Sequence, residues 1–397
     1  MPRPLDLIVF GATGFTGRRV AAELARVGGD LRWAVCGRQA SAVQALTEAL
    51  SQQPCPPRSV VVDLHDEAGL GDACAQARLA LSCVGPFARL GEPVVRACVQ
   101  AGTDLMDIAG EPAYMRRILT DWDAPARQAG VSVIHACGFD AMVADLGWLR
   151  LTRAAEARGH EITTVTSFLE LQSGPQGVRF HATTLDALVL GLAEKTAPPP
   201  GPVPRRPGNL ALRKMPFRDP TLGRWCTMLP SADPAVVRIS QERLAATTGQ
   251  PQPRYLGYFA FERPGNIAAS AVAGGALLGL SKARWGRQLM VRHPAWFTLG
   301  HATDAGPTED QLARTRFRMT LRAHVRGREE PVATHRIEGP EPGYVSTPIL
   351  LASAALGWLE TPDGDRARGV HTPATALPHL PILAEARDHR CSLSHLE

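Results

Sequence analysis

The chain opens on a short apolar run, Leu7-Ile8-Val9-Phe10, which empties into a glycine-spaced turn, after which Arg18–Val27 carries apolar residues at helical spacing. That change of period predicts a buried strand, a tight turn and an amphipathic helix. The alternation repeats along the first part of the chain. Leu31–Cys36, Ser59–Val62, Arg78–Val84 and Val131–Ala136 read as further short strands, and Ala88–Gly102 has helical periodicity. Strands alternating with helices predict an α/β domain with a parallel, doubly wound sheet. Later segments pattern differently. Glu161–Leu171 is rich in β-branched residues, and Phe317–Arg326 alternates with Met319, Leu321, Ala323 and Val325 on one face, with Pro331–Glu338 placed to pair as a hairpin. Ala182–Glu194 reads as a helix, whereas the proline-dense Ala197–Pro207 cannot continue one and reads as a surface connector.

The turn after the first strand carries Gly11, Gly14 and Gly17 in the spacing of a dinucleotide-binding loop. Each glycine has its own reason. Gly11 permits the sharp turn, Gly14 lets the backbone approach a pyrophosphate with no Cβ in the way, and Gly17 lets helix and strand pack closely. Phosphates then meet the unpaired N–H groups of the helix start. Thr13 and Thr16 offer hydroxyl donors, and Phe15 is placed to cover the cofactor or the turn. The end of the second strand selects the dinucleotide, because NAD-preferring proteins place an acid there for the ribose hydroxyls. Here Gly37-Arg38 stands instead, about 20 residues past Gly17, so a guanidinium meets the extra phosphate of NADP(H). Asp63, ending the third strand, is assigned to the adenine edge or to a turn.

Further candidate chemistry collects at the ends of the later strands, where open parallel sheets bind their ligands. Gly85-Pro86-Phe87 follows the Arg78–Val84 strand and is expected to face the nicotinamide half of the cofactor. Asp107 and Glu111 follow the next strand, His135 lies in Val131–Ala136, and Asp140 and Asp145 come just after it. Hydride transfer is the cofactor's chemistry, and the protein must supply a proton donor near the oxygen that gathers charge. Asp107, Glu111, His135 and Asp140 are the candidates. Against these roles, His135 can be a satisfied core histidine, Asp140 and Asp145 can cap a helix beginning near Met142, and Asp107 and Glu111 can merely hold a loop. A Tyr with Lys four residues later, the short-chain dehydrogenase donor pair, is absent at Tyr114, Tyr255, Tyr258 and Tyr344. In the second part of the chain, Arg179 and His181 are possible substrate contacts.

Composition narrows the class. The 397 residues suffice for two domains, and a hydrophobic share of 45% supports ordinary cores. The net charge of +5 is spread along the chain, not gathered into a stripe, which argues against nucleic-acid binding. The cysteines form no CxxC pair and several sit in apolar runs, so no metal site and a reducing, cytoplasmic setting are expected. The N-terminus enters a strand at once, with no signal-peptide pattern. Ile267–Leu280 is apolar and followed by Lys282, Arg284, Arg287 and Arg292, but it is shorter than the roughly 18 residues a membrane span needs. It reads as a core helix or as a peripheral membrane contact with Trp285 and Trp296 at the lipid boundary.

GATGFTG, CVGPF, AGTDLMDIAGE and ACGFDAMVADLG, in this order, resemble the saccharopine dehydrogenase-like oxidoreductases, in particular the branch with the trans-acting enoyl reductases; GYVSTPILLASAALGWLE and GVHTPATAL near the C-terminus extend the likeness. The resemblance implies an NADP(H)-holding Rossmann domain over 1–145 and about 345–397, an inserted α+β domain over 146–344, C-terminal helices returning to the first domain, and a homodimer. Where relatives often carry Ser-Gly-Gly-Thr, this chain has Ser173-Gly174-Pro175-Gln176-Gly177. The expected function is NADP(H)-dependent reduction of a C=C or C=O bond in a hydrophobic acyl or lipid-like small molecule. Two alternatives are a redox sensor that binds NADP without turning it over, and saccharopine-type chemistry on an amino-acid conjugate.

Overall fold

The computed structural model describes residues 3–396 apart from 176, 183–184, 186–204, 209, 229–230, 268–278, 282, 294–295, 297, 299–301, 304 and 380–391. The first apolar run forms β1 (Leu5–Phe10), and the glycine turn leads into α1 (Phe15–Val27), which buries Val20, Ala21, Leu24 and Ala25. Then come β2 (Trp33–Gly37), α2 (Ala40–Ala49), β3 (Arg58–Val61), α3 (Glu67–Ala75), β4 (Ala77–Ser82), α4 (Phe87–Ala101), β5 (Asp104–Asp107), α5 (Pro112–Gln128), β6 (Ser132–Ile134) and α6 (Phe139–Glu156). The next segment holds β7 (Ile162–Gln172), β8 (Phe180–His181), β9 (Phe217–Asp219), β10 (Arg224–Met228), α7 (Asp233–Thr248), β11 (Arg254–Phe261), α8 (Arg284–Arg292), β12 (Ala302–Thr303), α9 (Glu309–Arg314), β13 (Arg316–Val325) and β14 (Ala333–Pro340). The chain closes with α10 (Thr347–Glu360), β15 (Gly369–His371), α11 (Pro373–Ala376) and β16 (Ser392–Leu396).

The chain divides into two compact units, one of Met1–Phe139 with the stretch beginning at Gly343, the other of Asp140–Pro342 with the C-terminal end. In the first, all neighbouring strands are parallel and run β15-β6-β5-β4-β1-β2-β3. Read from β3, this is the doubly wound order with β15 added beyond β6. α10 is apolar almost all round, the mark of a buried helix, and it packs on α1 and β4. Asp104 ties this returning segment to the sheet. Its carboxylate accepts bonds from Ser132 N at 2.9 Å, Trp358 Nε1 at 3.0 Å, Arg366 at 3.2 Å and Arg368 at 3.3 Å.

The second unit is built on a mixed sheet, β16-β14-β13-β7-β11-β10-β9, in which only β7 and β11 pair in parallel. The strand expected over 161–171 and the hairpin of 317–326 with 331–338 are present as β7, β13 and β14. Leu169, Met319, Leu321 and Ile337 lie buried on one face, where Gly147 of α6 lets Leu321 and Ile337 come close. Phe168, Leu256, Tyr258 and Cys226 form a cluster on the other. The final strand departs from the boundaries expected for 345–397. β16 pairs with β14, so it belongs to the second sheet, where it covers a strand edge that would otherwise be open.

His324 supplies a pH test of this unit. It is buried, with Nε2 at 3.1 Å from Thr166 Oγ1 and Nδ1 at 3.2 Å from the Glu329 carbonyl; burial lowers its pKa, and Arg322 adds to the effect. The folded state therefore binds a proton less readily than the unfolded chain, and stability is lost as pH falls below about 6.5 through the lowered folded value. Thermal melts are expected to show a loss of stability between pH 7.5 and 5.5 that is smaller in His324→Gln. An equal loss in both proteins removes His324 as the cause.

No described helix is long and apolar enough to cross a membrane. Most of Ile267–Leu280, of the helix expected over Ala182–Glu194 and of the proline-dense connector lies outside the described residues. Trp285 of α8 and Trp296 are exposed.

Candidate functional site

The glycine turn has the conformation its sequence demands. Gly11 adopts φ +71°, and a Cβ there would lie 3.0 Å from the Cys83 backbone. At Gly17 a Cβ would fall 2.1 Å from the Gly11 carbonyl oxygen, so glycine is required for α1 to start against β1. Gly14 is different. It is exposed and extended (φ −72°, ψ 170°), and a Cβ on it would approach only the Gly11 oxygen, at 3.3 Å. α1 has Gly14 as its N-cap, with no side-chain cap and no acid in its first turn, so its positive end suits an anion. Thr13 packs by Gly37, where a Cβ would meet Thr13 Oγ1 at 3.2 Å. Thr16 is half-buried in the first turn of α1. The Phe15 and Tyr344 rings meet edge to face at 4.9 Å, and the Arg19 guanidinium lies over the Phe15 ring at 5.1 Å.

Arg38 follows β2 directly, exposed and without a hydrogen bond or ion pair to any described residue. A guanidinium held at the strand end with no protein partner suits a phosphate monoester. Asp63 is also exposed, and its carboxylate accepts from His65 N at 2.9 Å, forming a turn after β3. Together the uncapped helix start, the open backbone at Gly14 and Arg38 fit the phosphates of NADP(H).

At the other half of the same sheet edge, the ends of β4, β5 and β6 bring together residues far apart in sequence. Glu111 accepts from Phe87 N at 3.0 Å and from Ala88 N, so its carboxylate caps α4 and fixes the Gly85-Pro86-Phe87 turn, whose Gly85-Pro86 bond is cis. Glu111 is thereby a partner of the loop's backbone. Asp107 is buried and accepts from Ala109 N at 3.0 Å and Ala136 N at 3.2 Å on Oδ1. Its Oδ2 lies 2.7 Å from His135 Nδ1 and 3.5 Å from the Tyr114 hydroxyl. His135 is buried, edge-on to the Tyr114 ring at 5.3 Å, and its Nε2 has no partner among the described residues. An unmatched buried nitrogen costs roughly 1–3 kcal/mol. Beside it Ala136 takes φ +60°, a left-handed conformation that costs a non-glycine residue about 1–3 kcal/mol. The strand thus carries two unfavourable features side by side at the ligand edge of the sheet. Burial and the nearby Asp107 carboxylate push the Cys83 thiol up to about 12, so it stays protonated.

The remaining sequence candidates part company with this cluster. α6 begins at Phe139, not near Met142, so Asp140 lies within its first turn and Asp145 within its body, and the capping role fails for both. Asp140's side chain lies outside the described residues; Asp145 accepts from Ser240 at 2.6 Å in the second unit. His181 lies in β8 and Arg179 directly precedes it; β8 pairs with β12 in a small separate sheet. Sequence reading missed Tyr114 and Ala136. For Tyr114 the sequence shows only the absence of a nearby lysine, and nothing local marks Ala136 for a left-handed turn. Among the described residues no group of acids, histidines and cysteines is arranged to hold a metal.

Residues 7–134 match the saccharopine dehydrogenase NADP-binding domain. Over 99% of this chain and 97% of its relative, the sequence is 30% identical to a mouse saccharopine dehydrogenase-like oxidoreductase. A Mycobacterium tuberculosis protein with the provisional name trans-acting enoyl reductase is 29% identical over 95% of this chain and 94% of its own. The fold matches yeast (Saccharomyces cerevisiae) saccharopine dehydrogenase (L-Glu forming) with a TM-score of 0.60 at 14% identity, covering 99% of this chain and 100% of the other. With the likeness spanning nearly the whole length of both sequences, the chain belongs to the saccharopine dehydrogenase-like oxidoreductases and binds NADP(H).

Proposed function

We propose that this oxidoreductase reduces a C=C or C=O bond of a hydrophobic acyl or lipid-like small molecule. In this reading the Gly11–Gly17 turn with Thr13 and Thr16 holds the pyrophosphate and Arg38 the extra phosphate. Gly37 keeps the end of β2 open, Asp63 borders the adenine side, and Gly85-Pro86-Phe87, fixed by Glu111, borders the nicotinamide. Bound NADPH supplies the hydride; the chain's own residues orient the acceptor and exclude water. The single observation that carries the cofactor half is Arg38, set at the end of β2 without a partner among the described residues. Support for the substrate class comes from the apolar Ile267–Leu280 segment with its following arginines and from the provisional enoyl-reductase name of the mycobacterial relative.

Titration of the protein with NADPH and NADH, followed by nicotinamide fluorescence, tests the first half; adding enoyl and keto acyl substrates to the preferred complex tests the second. Arg38→Ala is expected to weaken NADPH binding by about 1.5–3 kcal/mol, roughly 10- to 150-fold, and to leave NADH nearly unchanged. Equal losses for both cofactors remove Arg38 from the phosphate site. NADPH oxidation that depends on an enoyl or keto acyl compound supports the reductase reading, whereas competition by glutamate-like acids points to saccharopine-type chemistry.

A further inference from the structure

We propose that Asp107 and His135 form a proton relay whose outlet is His135 Nε2, delivering the proton that must reach the substrate when hydride does. This rests on the reductase reading above. The geometry has a clear sense of direction. Asp107 Oδ2 faces Nδ1 at 2.7 Å, while Oδ1 is held by the backbone N–H groups of Ala109 and Ala136. The carboxylate is therefore fixed from both sides, and it fixes the ring, leaving the second nitrogen buried and unmatched. Nε2 is the buried side-chain nitrogen of this site without a partner. Buried nitrogens are matched in folded proteins by protein groups or by bound water, so the partner missing here is a water or a substrate group.

Position supports the same assignment. His135 directly follows β6, and Asp107 ends β5, at the carboxyl edge where doubly wound sheets hold their ligands. The strained Ala136 follows His135 and donates its N–H to Asp107, so the local backbone serves the dyad. Other groups around the ring do not compete for the role. Burial and the Asp107 and Glu111 carboxylates raise the Tyr114 pKa well above its ordinary value, partly offset by Arg117, so its hydroxyl stays protonated. The Cys83 thiol, near Asp107, likewise keeps its proton. His371 on the adjoining β15 is engaged through its own ring nitrogens with Thr375 and the Arg368 carbonyl. Imidazole is the side chain suited to giving and regaining a proton near neutral pH, and Asp107 holds its ring in place through Nδ1. As hydride reaches the acceptor carbon, the Nε2–H bond breaks and the proton passes, directly or through one water, to the oxygen or carbon that gathers negative charge. The neutral ring then regains a proton from solvent, so each turnover consumes one NADPH and one proton.

The test begins with the intact wild-type chain labelled with 15N-histidine, the His135 resonances being those missing from His135→Asn. NADP+ and NADPH are each added to saturation. The relay predicts that Nδ1 carries the proton shared with Asp107, and that the Nε2 resonance differs between the two complexes because the outlet senses the change of charge on the nicotinamide. An Nε2 resonance identical in both complexes overturns the relay and leaves the cofactor reading standing. Failure of both cofactors to bind overturns the reading on which it rests. With the substrate found by the acyl panel, His135→Asn is expected to lower kcat by about 100-fold or more while the NADPH Kd changes by less than about twofold, and to abolish the alkaline limb of the pH profile. A variant that binds NADPH normally and keeps wild-type kcat overturns the proposal.

Discussion

Asp104→Ala is expected to destabilise the first unit by about 3–5 kcal/mol, the loss that follows when one partner of a buried ion pair is removed and the other charges stay behind. Asp104 is buried and the Arg366 side chain is 7% exposed, and the same carboxylate also serves Ser132 N, Trp358 Nε1 and Arg368. Without it, Arg366 keeps the Thr361 and Leu359 carbonyls but loses its buried carboxylate, and an indole N–H and a strand N–H lose their acceptor. For a unit of this size the loss corresponds to a Tm decrease of roughly 10 °C. Asp104→Asn keeps an acceptor oxygen but not the charge and is expected to fall between wild type and alanine. Asp104 begins β5 and Asp107 ends it, so the damage is at the opposite end of the strand from the ligand edge. NADPH affinity at low temperature is expected to survive. A Tm within about two degrees of wild type would mean that the C-terminal segment is held by its apolar contacts alone.

The second large effect separates two glycines of one motif. Gly14→Val is expected to leave the fold intact and abolish NADPH binding, because its backbone conformation suits any residue and its Cβ meets only the Gly11 oxygen at 3.3 Å. The added side chain then occupies the space a pyrophosphate must enter. Gly17→Ala is expected to do the reverse. Its Cβ would lie 2.1 Å from the Gly11 oxygen and 2.9 Å from Ala12 Cα, so α1 must shift from β1, with a destabilisation of about 1–3 kcal/mol or more. Melting curves and NADPH titration on the two variants read these outcomes separately. Undiminished NADPH affinity in Gly14→Val would place the pyrophosphate elsewhere on the chain.

How much was legible beforehand follows from how local each signal is. The alternation of short apolar runs with helical periods marks β1 to β4 and β6 within a few residues, because burial on both faces of a parallel sheet writes itself into consecutive positions. The β13–β14 hairpin was legible for the related reason that a strand with one covered face alternates. Arg38 could be placed at the end of β2 because its distance from the glycine turn is set by one helix and one strand. By contrast, α6 begins three residues earlier than the sequence suggested, since Phe139 N donates to Thr347 Oγ1, a residue 208 positions away. No local pattern carries that contact.

The sequence by itself determined the family, the parallel doubly wound class of the first sheet, and a cofactor loop in which each glycine has a separate steric task. These depend on spacing within one βα unit, where backbone geometry leaves few choices. Only the tertiary structure decided which partners the buried polar groups take. It set Asp107 against His135 across 28 residues and Glu111 against Phe87 across 24, brought Arg366 to Asp104 across 262, and sent the last strand to the second sheet. A buried charge or ring nitrogen must find its partner from whichever strand ends lie beside it. That adjacency is a property of the assembled sheet and not of any one segment.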